Sequence, residues 1–235
     1  MLDKLATVAL GPLLLYQGRK VRLNTPRLPE PPGARSGVQG EGRPLSLLIL
    51  GDSAAAGVGA SHQREALAGK LAAGLSTDCL LDWQLIAKTG ATTAATLKAF
   101  DSLVDGKFDI VVLSLGVNDV TGNVPLSSWL GQQQVLRTRC FDQLGAKLVI
   151  SSGLPPLGGF PALPQPLRWY LGRRADQFDS ALAAALQNEQ GSQYLSLRFS
   201  NDPALMASDG FHPGPGIYKQ WAARVAAAIR SCSFI

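Results

Sequence analysis

A chain of 235 residues with 46% hydrophobic and 17% charged residues can bury one sizeable core and is too apolar for a disordered polymer. Its net charge of +5 is uneven: residues 1–43 hold seven Lys and Arg against three Asp and Glu, and the remainder holds 15 against 14. The body is therefore nearly neutral, which argues against nucleic-acid binding. Cys79, Cys140 and Cys232 are odd in number and form no CxxC, so they argue against a disulfide framework or zinc site and fit a reducing, cytoplasmic compartment.

Residues 1–44 read as an arm and linker, and residues 45–235 as one domain. Leu5 to Tyr16 is apolar, is interrupted at Gly11-Pro12, and is followed by Arg19, Lys20 and Arg22. Twelve helical residues would reach only ~18 Å against a hydrocarbon core of roughly 30 Å, so the run is too short to span a bilayer. Its charges follow the apolar run and no A-x-A-like site appears, unlike a secretory signal. Two readings stand: peripheral membrane contact through residues 1–22, or an arm packed on the domain's own surface. Residues 24–44, rich in Pro and Gly, read as an extended linker.

From Leu45 the chain alternates strand and helix. Leu45 to Leu50 is an apolar strand that stops at Gly51 and hands over to Asp52-Ser53, with small residues Ala54 to Gly59 behind. Ala66 to Leu75 predicts a helix, Trp83 to Ala87 a short strand, and Thr92 to Leu103 a helix. Ile110 to Leu115 is a continuous apolar run of the kind a buried parallel strand requires. A helix over about 125–141, a strand over 147–151 and a helix over 166–189 follow, the last with Leu167, Leu171, Ala175, Phe178, Leu182 and Leu186 at helical spacing. Gln193 to Leu197 reads as an edge strand, and Ile217, Trp221, Val225 and Ile229 lie four apart on the last helix. This alternation predicts a parallel sheet of about five strands covered on both faces.

Polar residues just past strand ends sit where open α/β sheets place their sites. Ser53 is either a nucleophile or a helix cap. Gly90 lies in a turn whose amides suit an anion, and Asn118 follows the 110–115 strand with an amide able to donate to an oxyanion; turn glycine and capping Asn are the alternatives. A base must come from two histidines. Asp209 and His212 are three apart, so one tight turn brings carboxylate to imidazole, leaving Nε2 free to take a serine proton. His62 has only Glu65 nearby, on an expected solvated helix face.

Four blocks now stand in order: Gly51-Asp52-Ser53, Gly90, Gly116-x-Asn118-Asp119 and Asp209-x-x-His212. In these the chain resembles the SGNH hydrolases of GDSL type from about residue 45 to 230, although Ala54 stands where the family name has Leu. The resemblance implies a flavodoxin-like three-layer α/β/α sandwich and a Ser53–His212–Asp209 triad. It also implies an oxyanion hole from the amides of Ser53 and Gly90 and the side chain of Asn118, with Asp52 and Asp119 supporting, and no cofactor or metal. A G-x-S-x-G elbow is absent, since Ala55 takes the last position, as is a GxxxxGK[ST] loop.

The activity expected is hydrolysis of small-molecule carboxylic esters, of short- to medium-chain acyl or aryl type, through an acyl-enzyme on Ser53. Thioesters, lysophospholipids and sugar acetates are alternatives on the same triad, and a non-catalytic binding module is the alternative of another class. The Pro- and Gly-rich loop from Leu154 to Pro164, with Trp169 and Tyr170 beyond it, walls an acyl pocket or covers the sheet edge.

Overall fold

The structure, a computed structural model, describes residues 2–199 and 202–232. Among these, one sheet is built from β1 (Ser36–Gln39), β2 (Pro44–Gly51), β3 (Leu80–Ala87), β4 (Ile110–Ser114), β5 (Leu148–Ser152) and β6 (Ser192–Leu195), in the order β1-β3-β2-β4-β5-β6. Strands β2 to β6 are parallel, and their order is the flavodoxin-like 2-1-3-4-5. The helices are α1 (Leu2–Asn24), α2 (Leu67–Leu75), α3 (Thr93–Leu103), α4 (Val117–Thr121), α5 (Leu126–Asp142), α6 (Leu167–Leu186) and α7 (Pro215–Arg230).

The central strand explains the layers. Side chains of a strand alternate between faces, and β2 is apolar on both. Leu47 and Ile49 pack with Leu71 of α2 and Trp221 of α7. Leu48 and Leu50 point the other way, to Phe100 of α3 and Leu136 of α5. Both faces are thus dry, as the unbroken apolar run requires. The six apolar positions read on α6 are all buried, as are the four on α7.

Three elements differ from the sequence expectation. Inside the stretch read as linker, β1 pairs antiparallel with β3, from Ser36 opposite Gln84 to Gln39 opposite Leu81. The strand count is therefore six. Ser36-Gly37-Val38-Gln39 buries none of its four residues, so no core-facing periodicity announces it; its backbone pairing makes it a strand. The short helix α4, directly after Gly116, was also not anticipated. Finally, α1 runs unbroken through Pro12, although proline removes one backbone donor.

From residue 10 onward, α1 lies on the body. Leu14 is buried in a cluster with Leu167 and Leu171 of α6. Gln17 donates from Nε2 to the Gln165 carbonyl at 2.8 Å and accepts the Leu167 amide at 3.1 Å. That amide opens α6, whose capping position holds Pro166 and offers no side-chain acceptor, so Gln17 satisfies an otherwise orphaned donor. The opposite face of α1 leaves Leu15, Tyr16 and Leu23 exposed.

The end of β2 tolerates no side chain. A Cβ on Gly51 would stand 2.5 Å from the Ala55 Cβ and 2.7 Å from the Ser114 carbonyl oxygen, which is backbone and cannot yield. Gly51→Ala is expected to destabilise the fold by about 1–3 kcal/mol, seen as a lower urea midpoint; an unchanged midpoint would show that the loop after β2 can shift freely.

Candidate active site

Register brings the site together. Gly51 is paired with Ala87 on one side and Ser114 on the other, so β2, β3 and β4 end level. Each chain then leaves the sheet within a few residues, delivering Ser53, Gly90 and Asn118 to one edge. Switch points of this kind form the crevices of doubly wound sheets.

Ser53 is not a helix cap. The chain behind it makes tight turns, with the Val58 amide bonded to the Ser53 carbonyl at 3.0 Å, and α2 begins only at Leu67. Its hydroxyl instead lies 2.9 Å from His212 Nε2. His212 Nδ1 is 2.5 Å from Asp209 Oδ2. The other Asp209 oxygen accepts the amides of Phe211 at 2.9 Å and of His212 at 3.0 Å. Gly210 completes this turn at φ 64°, in the left-handed region. The Asp209 side chain is fully buried. Burial alone raises its carboxyl, but the His212 ring and the two amides outweigh it and hold the group below its ordinary value. An ionised carboxylate against Nδ1–H leaves Nε2 as the acceptor facing the serine.

Among the described residues, the amides of Ser53 and Gly90 have no hydrogen-bond acceptor. Gly90 stands at φ 81°, which suits glycine alone. The Asn118 amide donates to the Ala91 carbonyl at 2.9 Å, and its second contact, to Asp52 Oδ2, is long at 3.4 Å. The first bond fixes the side chain beside the Gly90 loop, and the second leaves one N–H loosely held.

Asp119, read from the sequence as supporting, and several residues that the sequence reading passed over hold these loops. Buried Asp119 accepts the Thr93 amide through both oxygens at 3.2 Å and the Thr93 hydroxyl at 3.0 Å, tying α4 to the start of α3. Gln133 of α5 donates to that hydroxyl and to the Leu115 carbonyl. From the linker, Glu30 accepts the Thr89 amide and hydroxyl, each at 2.8 Å. Its partner Arg35 lies 2.7 Å away and also donates to the Ala87 carbonyl. Burial raises the Glu30 carboxyl, and Thr89 and Arg35 reverse that to a net lowering. Nothing local in the sequence marks Gln133 among its neighbouring glutamines or Glu30 among its prolines; only long-range contact does. His62 lies apart from the site, its Nδ1 accepting the Arg64 amide at the start of a short 3₁₀ turn.

Beside Ser53 and His212 is a cavity of about 90 Å³, walled by Leu115, Leu154, Phe160, Phe199, Ile217 and Trp221. The 154–164 loop lines the cavity and packs on α6, and Trp169 and Tyr170 beyond it do not line the cavity. Leu154 and Phe160 wall the cavity, while Leu157 and Leu163 bury themselves against α6. Its entry is fixed by buried Asp179, which accepts the Leu154 amide at 2.9 Å.

A serine linked through histidine to a buried aspartate, at the carboxyl edge of a 2-1-3-4-5 sheet, belongs to the SGNH-hydrolase class of α/β fold. The chain belongs to the GDSL-like Lipase/Acylhydrolase family, whose sequence profile matches residues 49–220. It is 32% identical over 190 residues to the GDSL-like esterase Rv1075c of Mycobacterium tuberculosis; the match covers 74% of this chain but 58% of that longer protein. Its fold is similar to the psychrotrophic esterase EstA from Pseudoalteromonas sp. (TM-score 0.62, 18% identity, 79% of this chain and 96% of the other). It is likewise similar to a carbohydrate esterase family 3 protein from Talaromyces cellulolyticus (TM-score 0.61, 14% identity, 79% and 96%).

Asp52, next to the serine, is buried, and burial pushes its carboxyl from 3.8 up to about 6, against the Ala54 amide and the charge of His212. A folded-state value above the unfolded one favours the fold below pH 4, and this contribution is lost as pH rises to about 6. Asp52→Asn should therefore stabilise the protein at pH 8 by up to about 3 kcal/mol and have little effect at pH 4. Denaturant titrations at the two pH values compare directly; equal effects at both would show that Asp52 is not held neutral by burial.

Proposed function

We propose that the chain is a carboxylic ester hydrolase that works through an acyl-enzyme on Ser53. The single observation carrying this reading is the unbroken hydrogen-bonded series Ser53 Oγ, His212 Nε2, His212 Nδ1 and Asp209 Oδ2. His212 takes the hydroxyl proton as Ser53 attacks the ester carbonyl, and Asp209 stabilises the imidazolium. The amides of Ser53 and Gly90 and the side chain of Asn118 meet the charge growing on the carbonyl oxygen. His212 passes its proton to the departing alcohol, then takes one from the water that attacks the acyl carbon, and returns it to Ser53 Oγ as the bond to the acyl carbon breaks.

The cavity beside the serine bounds the acyl group. At about 90 Å³ it is small for a ligand site, which supports the short end of the ester range. The exposed side of α1 sets Leu15, Tyr16 and Leu23 beside Arg19 and Lys20, a composition suited to a lipid–water interface. No helix among the described residues is long and apolar enough to cross a membrane.

The mechanism is tested on p-nitrophenyl acetate and butyrate. Ser53→Ala should abolish turnover, and Asn118→Ala should lower kcat by about 10²–10³ while leaving a measurable rate. Turnover surviving in Ser53→Ala would remove the acyl-enzyme; near-normal kcat in Asn118→Ala would take that amide out of the oxyanion hole. For the arm, Leu15→Glu with Leu23→Glu should reduce co-sedimentation with anionic lipid vesicles several-fold, and undiminished sedimentation would refute interfacial contact.

A further inference from the structure

A second and larger hollow of about 550 Å³ lies between α1 and the body, within the range of small-molecule sites. Leu14 and Val21 of α1 roof it, and Val120, Leu163 and Leu171 line it from below. It shares one lining residue, Phe211, with the cavity beside Ser53. The Phe211 ring meets the His212 ring edge-on at 5.4 Å, and Asn118 also lines the groove. The roof is cut back at Gly11 and Gly18, which both border the groove. A Cβ at either would meet no atom within 4 Å, so close packing demands glycine at neither position. Both lie inside a helix, where glycine is a poor choice. What their missing side chains leave is open groove.

We infer that this groove binds the alcohol half of the ester, and that the alcohol is apolar and about as long as a decyl chain. The inference rests on the ester-hydrolase reading of Ser53 and divides the substrate between two spaces. The acyl carbon becomes bonded to Ser53 Oγ, so the acyl chain occupies the small cavity that Ser53 itself lines. When the tetrahedral intermediate collapses, the bond from the acyl carbon to the alcohol oxygen breaks, and that oxygen takes the proton from His212 Nε2. The alcohol must then depart before water enters. The groove adjoins the residue next to His212, and Arg19 and Arg22 also line it, Arg22 donating to the Thr121 carbonyl at 3.4 Å. At about 550 Å³ against about 90 Å³, the groove is the roomier of the two spaces, and the longer apolar half of the substrate is placed there.

The test fills the roof with Gly11→Leu and Gly18→Leu together, two changes that favour the helix. Wild type and variant are compared on acetates of alcohols from ethanol to decanol and on ethyl esters of acids from two to ten carbons. Binding of 1-decanol is measured by calorimetry alongside. In wild type, kcat/KM should rise with alcohol length and fall with acid length. The variant should lose at least about tenfold more on decyl acetate than on ethyl acetate, with 1-decanol binding weakened to match. Equal losses on the two acetates, or a loss confined to ethyl decanoate, would overturn the assignment, the latter by placing the acyl chain in the groove. Should wild type cleave no ester, the hydrolase reading fails by itself. Decanol bound by wild type but not by the variant would then still support the groove, and decanol bound by neither would end it.

Discussion

The site depends on how β2 is held. Gly51 is in register with Ala87 on one side and Ser114 on the other; its carbonyl accepts the Lys88 amide at 3.2 Å, and the Asp52 amide donates to the Ser114 carbonyl at 3.1 Å. The serine that follows has little freedom to wander. Because neighbouring strands end level, the turns after β2, β3 and β4 leave the sheet at one height. Ser53, Gly90 and Asn118 are distant in sequence and meet only because three registers agree. Register is held at Gly51: a one-residue slip of β2 would bring a side chain to its place, where a Cβ would stand 2.7 Å from the Ser114 carbonyl oxygen.

Positioning of the loops falls to polar groups other than Ser53, His212 and Asp209. Asp119 and Gln133 converge on Thr93 and so hold the start of α3, while Glu30 grips Thr89 from the opposite side. The turn carrying Gly90 is thus clamped between the linker and α3. An oxyanion donor is useful only if it is preorganised, since reorientation during reaction would consume the stabilisation it supplies. The linker is accordingly part of the site's architecture. Arg35 binds both Glu30 and the end of β3, and β1 continues from it as an edge strand.

The arm has a comparable role. Gln17 caps α6, and α6 in turn packs against the 154–164 loop that walls the cavity beside Ser53. Its inner face is stitched to the body while its outer face stays apolar and basic. One helix thus contributes to stability, to the shape of the large groove and to the molecule's outer surface.

The sequence alone determined the alternating fold, because strands buried on both faces must be continuously apolar and their covering helices must repeat every three to four residues. It also singled out Ser53, Asp209 and His212, since the Asp-x-x-His spacing is local and a single turn can satisfy it. The missed elements have no local signature. β1 is a strand through its pairing with β3 and not through its side chains, α1 is stabilised across Pro12 by contacts with α6, and Glu30, Thr93 and Gln133 matter through partners 26 to 59 residues away. Only the tertiary structure could decide these, because a hydrogen bond between distant residues is fixed by the register of the sheet and the packing of its helices, neither of which any short stretch of sequence encodes.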